Sequence, residues 1–236
     1  MVPIRYSPKI DVTAASSQKQ QLCENKMEEH NEPDSGDQTP QEYQPTFLAH
    51  RVSIPKLFQS VEKEGLFTEC IECGENLLDT GRQYVIEKVF RGTEPIIELA
   101  MCLNCRDRSG ECMSAESAQS IQSFFESRVN FSDRIYQLLL QRGPDADQDS
   151  VDDWVDRCMF SGELRSEMRE YQVVALCEGK EMIRDFFPIM ISGQIMEELS
   201  SLLSEQTKGW MDDFIDTNFG MPPEFCEPPG VRPVLI

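Results

Sequence analysis

Two short cysteine pairs constrain this chain more than any other feature. Cys70-Ile71-Glu72-Cys73 and Cys102-Leu103-Asn104-Cys105 are CxxC turns separated by 28 residues. Each turn can present two thiolates, and two such turns at this distance predict one tetrahedral site with four sulfur ligands, for which zinc is the expected ion. Gly74, directly after the second sulfur, permits the bend. Between the pairs lie two β-rich runs, residues 83–90 and 95–101, joined by Arg91-Gly92-Thr93-Glu94. They predict a hairpin that brings the second pair back to the first.

Other cysteine chemistries fit less well. Nine cysteines, an odd number and mostly isolated, suit a reducing compartment rather than a disulfide framework, so a cytoplasmic address is expected. A thioredoxin-like centre needs one CxxC at a helix start, not two matched pairs. Four thiolates also leave no open position for water or substrate, which makes the zinc structural. Cys112 reads as a surface or half-buried cysteine, with a spare or exchanging thiol beside the site as the alternative, and Cys23, Cys158, Cys177 and Cys226 read as isolated.

No catalytic residues are expected. The two histidines, His30 and His50, both precede Cys70, which removes His-dependent nuclease, zincin and Ser-His hydrolase chemistry from the region that follows. Asp152-Asp153 and Asp212-Asp213 read as solvated helix faces, and there is no Gly-rich phosphate loop. Asp145-Ala146-Asp147-Gln148-Asp149 imitates the start of a calcium loop. Ser150 stands where that loop needs Gly and Asp152 where it needs an aliphatic residue, so an acidic linker explains the run better.

The net charge of −20 is unevenly placed. Residues 1–65 carry 7 basic and 10 acidic groups, residues 66–142 carry 8 and 12, and residues 143–236 carry 7 and 20. Phosphate neutralisation supplies the affinity of nonspecific nucleic-acid and anionic-membrane binding, so this balance disfavours both. No run approaches the roughly 18 apolar residues that would span a bilayer, and the N-terminus lacks the apolar stretch of a secretory signal. Arg82, Lys88, Arg91, Arg106 and Arg108 cluster around the zinc hairpin in sequence. They form a candidate anion or partner face, with pairing to the acidic second half as the favoured use.

Composition and periodicity divide the chain. Residues 1–45 are polar and poor in large apolar side chains, which predicts a disordered tail. Ser53, Pro55 and the spacing of Ile54, Leu57, Phe58 and Val61 predict a helix over 53–64, stopped by Gly65. Beyond the zinc pairs, Ser114 should cap a helix with the stripe Ala118, Ile121, Phe124, Phe125 and Val129. A second helix should open at Ser132, stapled by Phe131 and Tyr136, and end at Gly143-Pro144.

The second half reads as a worn copy. Cys70 matches Cys158, Cys73 matches Ser161 and Gly74 matches Gly162; Tyr84 matches Tyr171 and Gly92 matches Gly179. Residues 172–176 and 182–191 supply a hairpin, Ser192 is matched to the cap Ser114, and Thr207 to Ser132. On this matching the copy has lost the segment with the second CxxC and holds no zinc. The expected fold class is α+β: two related hairpin-plus-two-helix modules, the first zinc-bound, behind a disordered N-terminal tail. Their bounds are 46–143 and 158–220, with an acidic linker at 144–157 and a Pro-rich tail at 221–236.

Two knuckles that feed a hairpin and then a helix resemble the four-cysteine zinc fingers of treble-clef and zinc-ribbon type. The resemblance covers about residues 67–128 and rests on Cys70, Cys73, Cys102, Cys105 and the element order. It implies a metal-built scaffold and leaves activity open, since such modules bind nucleic acid, bind proteins or serve as structural inserts. The departure is residues 106–113: a treble clef places its last pair in the first turn of a helix, whereas Gly110 is expected to interrupt ahead of Ser114. A short helical turn at 102–107 and a ribbon-like second knuckle both remain open. The functional expectation is a non-enzymatic protein acting on an unidentified protein partner; a nucleic-acid-associated regulator and a thiol-based redox or zinc sensor are the alternatives.

Overall fold

The computed structural model describes residues 50–79, 81–130, 133–134, 136, 150–184 and 186–219. All of them belong to one compact unit, Phe47–Ile236. The expected tail at 1–45, the calcium-like run at 145–149, most of the helix from Ser132 and the C-terminal tail lie outside the described residues.

The architecture is α+β. Strands β1 (His50–Ser53), β2 (Gln83–Arg91), β3 (Glu94–Cys102), β4 (Glu170–Glu178), β5 (Glu181–Arg184) and β6 (Ile189–Ser192) make one sheet. Among the described residues, four α-helices follow two of the strands in pairs: α1 (Leu103–Cys112) and α2 (Ala115–Arg128) after β3, α3 (Gly193–Ser201) and α4 (Glu205–Phe219) after β6. The sheet order is β1-β5-β4-β2-β3, and β6 pairs with β4. All its pairings are antiparallel.

Both hairpins turn in two residues, Gly92-Thr93 between Arg91 and Glu94 and Gly179-Lys180 between Glu178 and Glu181. Each turn opens on a glycine with positive φ, 61° at Gly92 and 58° at Gly179, the arrangement of a type II′ turn. The first hairpin matches its sequence expectation. The second is divided: β5 and β6 take opposite ends of one edge of β4, where a single strand over 182–191 was expected.

The halves meet through the centre of the sheet. β2 and β4 pair along their whole length, from Gln83 opposite Glu178 to Arg91 opposite Glu170. Tyr84 faces Cys177; exchanging Tyr84 for Tyr171 and Cys177 for Phe90 gives another pair of the same ladder. A ladder that maps onto itself in this way has a local two-fold axis near Glu87 and Val174. One contiguous core runs from Val52 through Ile86, Val174 and Met196 to Ile215, so the expected modules share a core rather than owning one each. Val151, Trp154 and Val155, placed by sequence in a linker, are buried in it.

The helix expected over 53–64 does not form. Ser53 pairs with Glu181 in β1, and only Lys56–Phe58 make a single 3-10 turn. The reason is tertiary: the Glu98 carboxylate on β3 accepts from the Val61 amide at 2.9 Å, the Glu62 amide at 3.2 Å and the Ser60 hydroxyl at 2.6 Å. Those amides are the donors a helix would have used. Ile54 and Phe58 are buried as their pattern implied, while Val61 is 61% exposed.

Helix α1 runs unbroken through Gly110, against the expected interruption. Ser114 caps α2 as expected, its Oγ accepting from the Ser117 amide at 3.1 Å. Further on, the Asp133 amide donates to Asn130 Oδ1 at 3.2 Å, a cap bond at Asn130, while the expected start at Ser132 lies outside the described residues.

Candidate metal centre

Cys70 and Cys73 sit on a turn closed by two bonds, Cys70 N–H to Glu75 O at 2.9 Å and Gly74 N–H to Cys70 O at 2.8 Å. Gly74 has φ 69°, a backbone that a Cβ makes costly. A third bond, Ile71 N–H to Ala100 O at 2.9 Å, docks the turn on β3. Cys102 ends that strand and is the N-cap of α1; Cys105 lies in the helix's first turn. The open question about residues 102–107 therefore resolves in favour of a helix, and of a longer one.

The four Sγ atoms lie within 4.8 Å of one another. Sulfurs bonded at about 2.3 Å to one tetrahedral ion would stand roughly 3.8 Å apart. Cys73 Sγ and Cys102 Sγ are 3.9 Å apart. Cys70, Cys102 and Cys105 are buried and Cys73 is exposed. No other group of three or more candidate ligands occurs among the described residues.

The electrostatics ask for a cation. Burial pushes the Cys70 thiol up, but the amides of Cys102, Cys73 and Glu72 outweigh it and bring its pKa down to about 7. The Cys102 amide donates to Cys70 Sγ at 3.4 Å. Burial, then the sulfurs of Cys102, Cys73 and Cys70, push Cys105 far up; burial also raises Cys73. Four like charges so close cannot coexist unless an ion neutralises them, and an all-thiolate set selects a thiophilic one. The residues therefore fit the group that the spacing implied. Four thiolates around a dication leave a net charge of −2, and Arg108 answers part of it by donating from Nη2 to Cys105 Sγ at 2.9 Å. Arg82 similarly holds Glu75, whose carboxylate lies 3.7 Å from Cys73 Sγ.

Four of the five basic residues are engaged in ion pairs within the chain. Arg82 pairs with Glu75, Arg91 with Glu170 of β4, and Arg106 with the buried Glu87. Lys88 is 1% exposed, which withdraws it from any partner face. Its ammonium donates to Gln59 O at 2.6 Å, pairs with Glu98 at 3.1 Å and lies 5.4 Å from the Phe90 ring centre. Sequence spacing did not expose this pair, because Lys88 looks like any polar position on an alternating strand.

The turn at Cys158 repeats the first knuckle bond for bond. Cys158 N–H donates to Glu163 O, Gly162 N–H to Cys158 O and Met159 N–H to Met190 O, each at 2.9 Å. The Ser192 amide donates to Cys158 Sγ at 3.3 Å, as the Cys102 amide does to Cys70 Sγ. Gly162 has φ 72°. This corrects the matching of the second half: Ser192 stands at the β6–α3 junction where Cys102 stands at the β3–α1 junction, and Ile195 takes the place of Cys105 in the first helical turn. Ser204, not Ser192, makes the cap equivalent to that of Ser114, its Oγ accepting from the Thr207 amide at 3.3 Å. Residues 190–195 make, with different side chains, the bonds to the Cys158 turn that residues 100–105 make to the Cys70 turn, which is why cysteine spacing could not find them.

No helix among the described residues is long and apolar enough to cross a membrane. No family model, no curated protein and no solved structure matches the chain.

Proposed function

We propose that this protein is a non-enzymatic scaffold, organised by one structural zinc on Cys70, Cys73, Cys102 and Cys105, that acts through protein–protein contact. The observation that carries the reading is the closed four-sulfur cluster within 4.8 Å, anchored to a strand end and a helix start. With every position filled by a thiolate, the ion has no site for substrate and acts on folding. The knuckle, hairpin and paired helices resemble a treble clef, and their recurrence around a local two-fold supports an origin by duplication.

Contact with protein is favoured over contact with nucleic acid by a net charge of −20 and by the internal ion pairs of Arg82, Lys88, Arg91 and Arg106. A second reading, a thiol-based sensor in a reducing compartment, draws on the exposure of Cys73 and of Cys112 on α1. One sample decides among them. Affinity-purified protein is analysed for metal and for a stoichiometric partner, before and after mild peroxide. One zinc and a partner that survive peroxide support the scaffold. Reversible zinc release supports the sensor, and salt-sensitive binding to nucleic acid supports the regulator.

A further inference from the structure

The second knuckle is built like a metal site in everything except three of its side chains. Its four positions, Cys158, Ser161, Ser192 and Ile195, are buried, exposed, buried and buried, the same order as Cys70, Cys73, Cys102 and Cys105. The turn bonds agree, the amide-to-sulfur bond agrees, and both sets join a strand end to a helix start. Backbone similarity alone would show only a shared turn.

A side-chain observation goes further. Ser192 is 2% exposed, yet its Oγ has no hydrogen-bond partner and does not cap α3. An orphaned buried hydroxyl carries a desolvation penalty, so folding alone does not account for a polar atom here. Its place is that of the Cys102 ligand sulfur. Cys158 itself keeps the ligand environment: burial raises its pKa, but the Ser161 hydroxyl and the amides of Ser161, Ser192 and Phe160 outweigh it and draw it down.

We propose that Cys158, Ser161, Ser192 and Ile195 mark a lapsed four-ligand site for a thiophilic divalent cation, related by the local two-fold to the site at Cys70. This rests on the duplication reading above. Packing has taken over the metal's work: Phe160, at the tip of the second knuckle, lies edge-on to Phe125 with ring centres 4.9 Å apart and 5.3 Å from Phe124. Both phenylalanines come from α2 of the other half, so the second knuckle is held from outside rather than from within.

The test restores the ligands in the full chain with Ser161→Cys, Ser192→Cys and Ile195→Cys, and counts cobalt(II) bound per chain by titration, with the thiolate-to-cobalt absorption band as readout. The variant should bind one ion more than the wild type, about two against about one, with a doubled band. Equal counts in wild type and folded variant overturn the lapsed site. A wild type that binds none instead refutes the zinc reading of Cys70, Cys73, Cys102 and Cys105, and the count difference still decides this proposal. If the triple variant does not fold, Ser161→Cys with Ser192→Cys, which leaves Ile195 in the core, should give a three-sulfur site and the same extra ion. No extra ion there, or failure of that variant to fold, also overturns the proposal, since a ligand position should accept a thiol.

Discussion

The hydroxyls of Ser114 and Ser204 lie 2.9 Å apart, each at the start of the second helix of its own half. Around them the donors are exchanged: the Ser114 amide donates to Thr207 Oγ1 at 3.0 Å and the Ser204 amide to Ser117 Oγ at 2.8 Å. Each helix thus closes its own cap and satisfies the neighbour's entering strand of chain. Ser117 and Thr207, the two side chains in the middle, are fully buried.

Because the caps share partners, their losses should not add. Ser114→Ala or Ser204→Ala alone should cost about 1 kcal/mol or somewhat more, as cap removal does. In the double variant a coupling of at least 0.5 kcal/mol is expected from urea unfolding. Strict additivity would show the two caps to be independent.

Removing the metal should loosen both halves. Chelation, or Cys73→Ser, forfeits the binding energy of the proposed zinc, which is folding energy on the order of 10 kcal/mol in isolated zinc modules. Since β2 pairs with β4 along its whole length, amide exchange at Val173, Val174 and Ala175 should accelerate together with that at Val85 and Ile86. Acceleration confined to residues 70–112 would show that the halves unfold separately.

The Lys88–Glu98 pair should be costly to break from one side. Glu98→Ala leaves an ammonium that is 1% exposed without its carboxylate, and frees the Val61 and Glu62 amides. A loss of about 3–5 kcal/mol is expected by denaturant unfolding. A loss below about 1 kcal/mol would mean that the Gln59 carbonyl alone can hold Lys88.

The same carboxylate sets an acid limit. Burial raises the Glu98 pKa, but donors from Ser60, Val61, Lys88 and Glu62 outweigh it and hold the group below the ordinary glutamate range. A carboxyl whose folded pKa is depressed stabilises the fold above its unfolded pKa, about 4.3. That contribution is lost as pH falls from there through the lower folded value. Acid unfolding of Glu98→Gln should therefore show a flatter pH dependence below about 4.3 than the wild type. An unchanged slope would assign the acid sensitivity to other groups.

Deleting residues 1–45 should leave metal content and melting temperature nearly unchanged. Their composition offers little apolar surface to bury. A fall of several degrees would show that the segment docks on the fold.

What the sequence determined by itself is whatever depends on neighbours in the chain or on a spacing with few solutions. Two CxxC turns specify which four sulfurs come together because few arrangements satisfy four thiolates, Gly92 specifies a two-residue turn, and Ser114 specifies a cap because the amide that donates to it lies three residues on. The tertiary structure decided the rest. Residues 53–64 carry a helical stripe, but their amides found Glu98, more than thirty residues away, before they could find one another. Lys88 became a core residue through Gln59 and Glu98, partners that no local window contains. The likeness of residues 190–195 to residues 100–105 is invisible in sequence because serine at 192 and isoleucine at 195 carry no ligand signature, and only the bonds to Cys158 and Met190 reveal it. Short apolar patterns suit strand and helix alike, so the choice falls to whichever distant group satisfies the backbone.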